Sequence, residues 1–410
     1  MGLAHDAALG WLDEHGGQLV RWRRDLHAHP EIGFAEHRTT ELIVATLTEL
    51  GLSPRKLATG TGVVCDIGGR PGSGMVALRA DIDALPLTEE TGAAYASRNP
   101  GVCHACGHDA HTAILLGVAA SLAGSSGVAG RAGQRVRLLF QPAEERTPGG
   151  AEAAIADGVL DGVGQIFALH CDPRLDAGRI GIRPGPITAS FNRLELRVAG
   201  PGGHTARPQL SADVVYAIGK LITELPGLLS RRVDPRAALS LVWGAVSAGS
   251  APNAIPTTGV LRGTLRMLNS SLWSELHDTV RELAEQVVAP TEAHVEVDYD
   301  RGVPAVVNDA AMAAVQSRAA AAAFGADAVA DTAQSMGGED FAWYLRQAPG
   351  AMARLGVRRP GLPGGDLHQA TFDIDESALA VGVRFTAAIL DELEELSARD
   401  REQPTGGGQR

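Results

Sequence analysis

The sequence is short of several things, and each shortage excludes something. Four cysteines in 410 residues cannot staple a disulfide scaffold, so in a reducing compartment the clustered thiols lean toward metal binding or catalysis. No apolar run reaches the roughly 18 residues that a membrane-spanning helix needs, so no membrane partner is expected. The opening MGLAHDAALGWLDEHGG carries Asp6, Asp13 and Glu14 where a signal peptide requires bare hydrophobicity, and a cytoplasmic chain is expected. Basic charge is also scarce. Forty-eight acidic residues against 36 Lys and Arg leave a net charge of −12, and beyond the short cluster Arg21 to Arg24 there is no basic run. A nucleic-acid partner, whose phosphates call for a basic stripe, is not expected. Aromatics make up only 4% of the chain.

Apolar residues are plentiful at 45%, and the length exceeds the point at which a single core stops growing, so two domains are expected. The first 50 residues show helical spacing through Leu9, Trp11, Leu12 and Leu19, then Leu42, Ile43, Leu47 and Leu50. VVCDIGG, MVALRADI, RVRLLFQ and QIFALH are short β-rich runs, and a helix is expected after His111. Polar clusters follow these strands: DID after MVALRA, PAEE after RVRLLF, and His170 at the tip of IFAL. Sites in parallel α/β sheets collect at such carboxyl ends. From about Phe191 the pattern becomes β-α-β-β-α-β, the ferredoxin-like order. The expected architecture is therefore α/β: a mixed-sheet catalytic domain over 1–188 and 303–410, with an inserted ferredoxin-like α+β domain over 189–302. A final helix is expected from Glu376 to about Ala398, and the tail RDREQPTGGGQR is expected to be disordered.

The chemistry-bearing residues cluster. In VCHACGHDAHTAILLG, Cys106 and His108 bring a thiol and an imidazole together at the entry to a helix, and both are standard ligands for Zn²⁺ and its neighbours. A Cys103/Cys106 redox pair and two merely buried thiols are the alternatives. PAEE puts two adjacent carboxylates, Glu144 and Glu145, at a strand end, where one can ligate metal while its neighbour faces a substrate water; a solvated acidic loop is the bland reading. Asp81 and Asp83 could orient a ligating histidine or simply shape the turn before Pro86. His170 and His368 stand alone in sequence. In the inserted segment His204 lies on the Gly-rich turn GPGGHTARP, with Asn253 in PNAIP and Arg266 in GTLR, the last suited to gripping a carboxylate.

Taken in order, RRDLHAHPEIGFAE, ALRADIDALP, CGHDAHTAILLG, FQPAEE, GGHTARP, NAIP, GTLR, GGEDFAWY and DLHQ resemble the two-domain metallo-amidohydrolases related to aminoacylase and bacterial carboxypeptidase G. The match is closest to the branch of hippurate hydrolases and indole-acetyl-amino-acid hydrolases. The resemblance implies a site for two divalent ions (Zn, Mn, Co or Ni), with Cys106, His108, Glu145, His170 and His368 at the ligand positions. It implies Glu144 as the general base, Asp83 as the acid that orients the cluster, and His204, Asn253 and Arg266 as residues that meet the substrate. The inserted domain would then act as a lid and dimerisation domain, in a homodimer or higher homo-oligomer that hydrolyses N-acyl amino acids. N-carbamoyl amino acids, dipeptides and N-acetylated diamino acids are the alternative substrates on the same scaffold. Departures from the family pattern (Gly338 where Ser is usual, Gln369-Ala370 after His368, Arg207 and Gln209 after GGHTA, Arg146 where Gly is frequent) bear on substrate preference.

Overall fold

The computed structural model describes residues 2–69, 74–124, 135–269, 272–273, 275–361 and 365–402. Two helices open the chain, α1 (Leu3–Ala28) and α2 (His37–Glu49). Strands β1 (Arg55–Lys56), β2 (Val63–Ile67) and β3 (Met75–Asp81) follow, then α3 (His108–Gly124), β4 (Arg135–Gln141), α4 (Gly150–Ala156), β5 (Val163–Asp176) and β6 (Ile180–Ile182). The middle of the chain supplies β7 (Ser190–Ala199), β8 (Gly203–His204), α5 (Val214–Arg232), β9 (Ser240–Ala248), β10 (Ala254–Ile255), β11 (Thr258–Met267), α6 (Leu276–Val288) and β12 (His294–Val303). The C-terminal part adds α7 (Ala310–Phe324), β13 (Val329–Asp331), β14 (Gly350–Arg358) and α8 (Ser377–Glu402). That last helix extends into the tail expected to be disordered; residues 403–410 lie outside the described residues.

The chain divides into two compact units: Met1–Gly185 with Asn308–Ala333 and Trp343–Arg410, and Pro186–Val307 with Gln334–Ala342. The large unit is built on an eight-stranded mixed sheet in the order β1-β2-β4-β3-β5-β14-β6-β13. Its central strands β4, β3, β5 and β14 run parallel. All seven residues of β3 are buried, as expected of a parallel strand covered on both faces. Helix α3 has an almost wholly buried surface and packs against α1 and α8. A Cβ at Gly117 would come within 2.8 Å of Val383 and 3.0 Å of Leu19, so a glycine lets α1 and α8 both close on this helix.

The small unit keeps the β-α-β-β-α-β order. Its antiparallel sheet runs β9-β11-β7-β12, and β7 alternates buried and accessible residues along its length, the mark of a sheet with one covered face. Gln334–Ala342, which the sequence pattern grouped with the large domain, is held in the small unit by hydrogen bonds. Ser335 N donates to Ile187 O at 2.9 Å and Ala189 N to Ser335 O at 2.9 Å. Such pairing across some 150 residues leaves no trace in local periodicity.

Candidate metal centre

The site grows from three neighbouring parallel strands. Asp81 ends β3 and pairs with Gln141, which ends β4 and feeds Pro142–Glu145. Arg79 of β3 pairs with Ala168 of β5, so two residues further on Asp81 and His170 stand level. His170 is not at a strand tip as expected: β5 continues to Asp176 because β14 pairs with it throughout, Arg354 opposite His170. Helix α3 also starts earlier than expected, at His108 rather than after His111. Gly107 adopts a left-handed φ of 85°, and its carbonyl accepts from Ala110 N at 3.0 Å and His111 N at 3.1 Å, so it opens the helix. A Cβ there would lie 2.8 Å from Cys171 Sγ. Only glycine can turn the chain between Cys106 and His108 in that space.

The donor atoms of Cys106, His108 and His170 lie within 4.8 Å of one another, as do those of Cys106, Glu145 and His368, and those of His108, Glu144 and Glu145. Cys106, His108 and Glu145 each join two of these groups. His108, at 1% exposure, has Nδ1 2.9 Å from Asp83 O and 3.2 Å from Asp83 Oδ1. Asp83 Oδ2 accepts from Glu145 N at 3.0 Å. One carboxylate thus orients two prospective ligands, the arrangement typical behind metal-bound histidines. His170 Nδ1 donates to Cys171 O at 2.8 Å, leaving Nε2 3.6 Å from Cys106 Sγ. His368 is the exposed member, its side chain 54% accessible, with Nε2 3.1 Å from Glu145 Oε1.

Electrostatics favour a cation here. Burial opposes charge on His108, yet Asp81 and Asp83 raise it to about 10. Its Nε2 is buried without a hydrogen-bond partner, a position costly to leave empty. Burial and the Glu145 and Glu144 carboxylates hold the Cys106 thiol well above its usual range, and burial together with Arg354 keeps His170 neutral. Clustered carboxylates, a neutral imidazole and a thiol fit a divalent ion, which would take over the thiol's proton position. A further group, Asp81, His108 and His111, is a poorer candidate. His111 Nδ1 is committed to Asp81 Oδ1 at 2.5 Å and its Nε2 accepts from Cys171 N at 2.9 Å, so no lone pair remains. Asp81 Oδ2 is also bound, by Arg79 at 2.6 Å. Arg79 escaped the sequence reading; its only signal is a charge inside the apolar run MVALRADI.

All four cysteines are free and buried; Cys106 alone of them joins a metal-capable group. In the small unit His204 and Asn253 are neighbours. His204 pairs with Ala254 across β8 and β10, Thr205 N donates to Asn253 O at 3.3 Å, and both residues are exposed. Arg266 is placed separately on β11, over the Phe191 ring at 4.7 Å and donating to Met336 O at 2.6 Å.

A mixed sheet with Cys, His and Glu donors gathered near the carboxyl ends of its strands defines the class of metal-dependent hydrolases of the zinc-peptidase type. The particular family follows from comparison: residues 77–392 match the model of Peptidase family M20/M25/M40, and the chain belongs to that family. It is 49% identical over 94% of its length to a Rhodococcus jostii (strain RHA1) protein named "Putative glutamate--cysteine ligase 2-3", of which it spans 48%. It is 38% identical to N-acetyl-L-cysteine deacetylase of Bacillus subtilis (strain 168), covering 93% of this chain and 91% of that protein. The crystal structure of a dinuclear-metal-binding M20 peptidase from Bacillus subtilis superimposes with a TM-score of 0.82 at 33% identity, covering 93% of this chain and 99% of that one. Among the described residues no helix is long and apolar enough to cross a membrane.

Proposed function

We propose that this protein hydrolyses the amide bond of N-acyl or N-aroyl amino acids, releasing a carboxylic acid and a free amino acid. The observation that carries the reading is the convergence of Glu144 on the ligand group, within 4.8 Å of His108 and Glu145 donors. A closed structural metal site has no use for a second carboxylate at that position. Relatives named for removing acetyl groups from cysteine and for N-acyl-L-amino acid hydrolysis support it.

Cys106, His108, Glu145, His170 and His368 would hold two divalent ions, which supply Lewis acidity toward the amide carbonyl when bound. Glu144 accepts a proton from the attacking water and delivers it to the leaving amine nitrogen, so one water is consumed per bond cleaved. Asp83 holds the His108 ring and the Glu145 backbone in register. His204 offers a donor to the developing oxyanion, and Asn253 with Arg266 receives the α-carboxylate, selecting N-acyl amino acids over neutral amides. The test is a panel of N-acyl, N-carbamoyl and dipeptide substrates on apoprotein reloaded with Zn²⁺, Mn²⁺, Co²⁺ or Ni²⁺. Release of amino acid from the N-acyl set alone is expected; preference for carbamoyl or dipeptide substrates would move the assignment to those.

The same reading includes a homodimer. Strand β9 is an edge of the small sheet, with Val242 and Val246 exposed at 60% and 57%, and Val215 and Tyr216 of the adjoining α5 also exposed. An uncovered apolar edge of this kind pairs readily with a second copy. Val246→Lys is expected to shift the light-scattering mass toward the monomer; an unchanged mass would remove this edge from the interface.

A further inference from the structure

The motif RRDLHAHPEIGFAE is so far without a role, and its Arg23 and His27 are among the most buried charged side chains in the large unit. They lie four residues apart on α1, hence on one face, and that face meets α3. Arg23 Nε donates to Asp109 Oδ2 at 2.7 Å, and Nη2 donates to Asp373 Oδ1 at 2.8 Å. His27 Nδ1 donates to the same Asp109 oxygen at 2.8 Å, while Nε2 lies 3.2 Å from Glu89 Oε1. Carboxylates on either side favour the doubly protonated imidazole, with Arg23 Nη2 also 3.3 Å from its Nδ1. Asp109 is therefore gripped by two cations.

Of the three acids held by Arg23, Glu376 is reached by Nη1 at 3.4 Å, and the other two flank metal-ligand segments. Asp109 follows His108 directly, and Asp373 lies five residues after His368. The segments are also joined to each other: His368 N donates to Ala105 O at 2.8 Å, with His368 in a left-handed conformation, φ 63°. Tyr95 adds its hydroxyl to Asp373 Oδ2 at 2.9 Å. One guanidinium thus fastens both strips of chain that carry Cys106, His108 and His368.

We propose that Arg23 and His27 are positioning residues for the metal centre, acting through Asp109 and Asp373 to fix the spacing between the Cys106–His108 loop and the His368 loop. This rests on the metal-ligand reading above. Neither residue belongs to a metal-capable group, so their removal should loosen the ligand set rather than delete a ligand.

The experiment uses the full chain, stripped of metal and titrated with Co²⁺ against a competing chelator, with the d–d and thiolate charge-transfer absorption recorded. Asp109→Asn keeps the shape and removes the charge that both cations hold. It is expected to weaken Co²⁺ binding about 10- to 100-fold, the range for losing an outer-shell partner, and to shift the d–d bands. Asp391→Asn is the control. Asp391 accepts from Ala4 N and His5 N at 2.9 Å each, so its loss should lower the melting temperature while leaving affinity and spectrum as in the wild type. Should Asp109→Asn fail to fold, His27→Gln takes its place, since an amide can serve only one of the two carboxylates with a donor; a smaller loss of affinity in the same direction is expected. Wild-type cobalt uptake with unchanged affinity and bands in the variant overturns the positioning role alone. A wild-type chain that takes up no cobalt overturns the metal reading, and the positioning role falls with it.

Discussion

The two units treat their candidate functional residues in opposite ways. In the large unit, His108, His170 and Cys106 are buried, and each imidazole is fixed at Nδ1 by an oxygen acceptor before any ion arrives. In the small unit His204 and Asn253 are exposed, and the Nδ1 of His204 merely accepts from Ala206 N, two residues along its own loop, at 3.0 Å. The difference matches what each task demands. A metal centre must be held within a fraction of an ångström, so its ligands need rigid backing. Residues that receive a substrate keep their polar groups open to solvent until it comes.

The comparison breaks most sharply at Glu144. Glu144→Gln keeps the size of the side chain and removes its basicity, so turnover is expected to fall about 10²- to 10⁴-fold with metal content by atomic emission unchanged. Retained turnover would remove Glu144 as the base, and lost metal would recast it as a ligand. Next comes Asp83, proposed to act by orienting His108 and Glu145. Asp83→Asn leaves an acceptor for His108 but weakens its hold, and metal affinity is expected to drop about 10-fold or more. A tight-binding Asp83→Asn protein would show that the backbone carbonyl of residue 83, at 2.9 Å from His108 Nδ1, suffices.

In the small unit the expected effect is smaller and of another kind. Arg266→Ala should raise KM for N-acyl amino acids about 10-fold, the value of one charge-assisted hydrogen bond, with metal content unaltered. Arg266→Lys should restore little, since an ammonium lacks the planar fork and stacks poorly on the Phe191 ring. If Arg266→Ala instead alters turnover alone, its link to Met336 O would be its purpose, and the α-carboxylate would be read elsewhere.

Much of this contrast was legible in the sequence, and the boundary of legibility is physical. The strand runs were visible because parallel central strands are apolar throughout, and the β-α-β-β-α-β order because its elements alternate periods of two and 3.6. Cys106, His108, Glu144 and Glu145 stood out as close pairs of chemistry-bearing residues. His170 and His368 did not, since a lone histidine carries no local signal, and only the ordered resemblance nominated them. The supporting atoms were mostly hidden. Arg79 beneath Asp81, the backbone donor of Cys171 to His111, and the salt-bridged face of α1 are made by pairings of residues 2 to 353 positions apart. Arg23 and His27 had one faint cue, a charged i,i+4 pair within an otherwise amphipathic helix. The placement of Gln334–Ala342 with the small unit had none.

The smallest effect tests whether the large unit's buried ion pairs govern how stability depends on pH. Burial opposes a charge on His27, but the Asp109 carboxylate and the hydrogen bonds to Asp109 and Glu89 raise it from 6.5 to about 9. Stability from this group is complete below about pH 6.5 and is lost as pH rises through 9. Burial likewise opposes the Glu89 charge, while hydrogen bonds from His27, Thr91 and Ser97 N lower it from 4.5 to about 2. Its contribution is complete above about pH 4.5 and is lost as pH falls through 2. The melting temperature of the metal-free protein should therefore be highest between about pH 4.5 and 6.5 and decline toward pH 9. His27→Gln should lessen that alkaline decline, the rest of which belongs to His108, raised to about 10, and Glu89→Gln should lessen the acid one. The exposed pair Arg193–Asp300 of the small unit sits in water and is screened, so Arg193→Gln should leave the pH profile as it was. An alkaline decline that survives in His27→Gln but disappears in Arg193→Gln would reverse the assignment, placing the pH-sensitive charges in the open unit and leaving the buried network as a source of geometry alone.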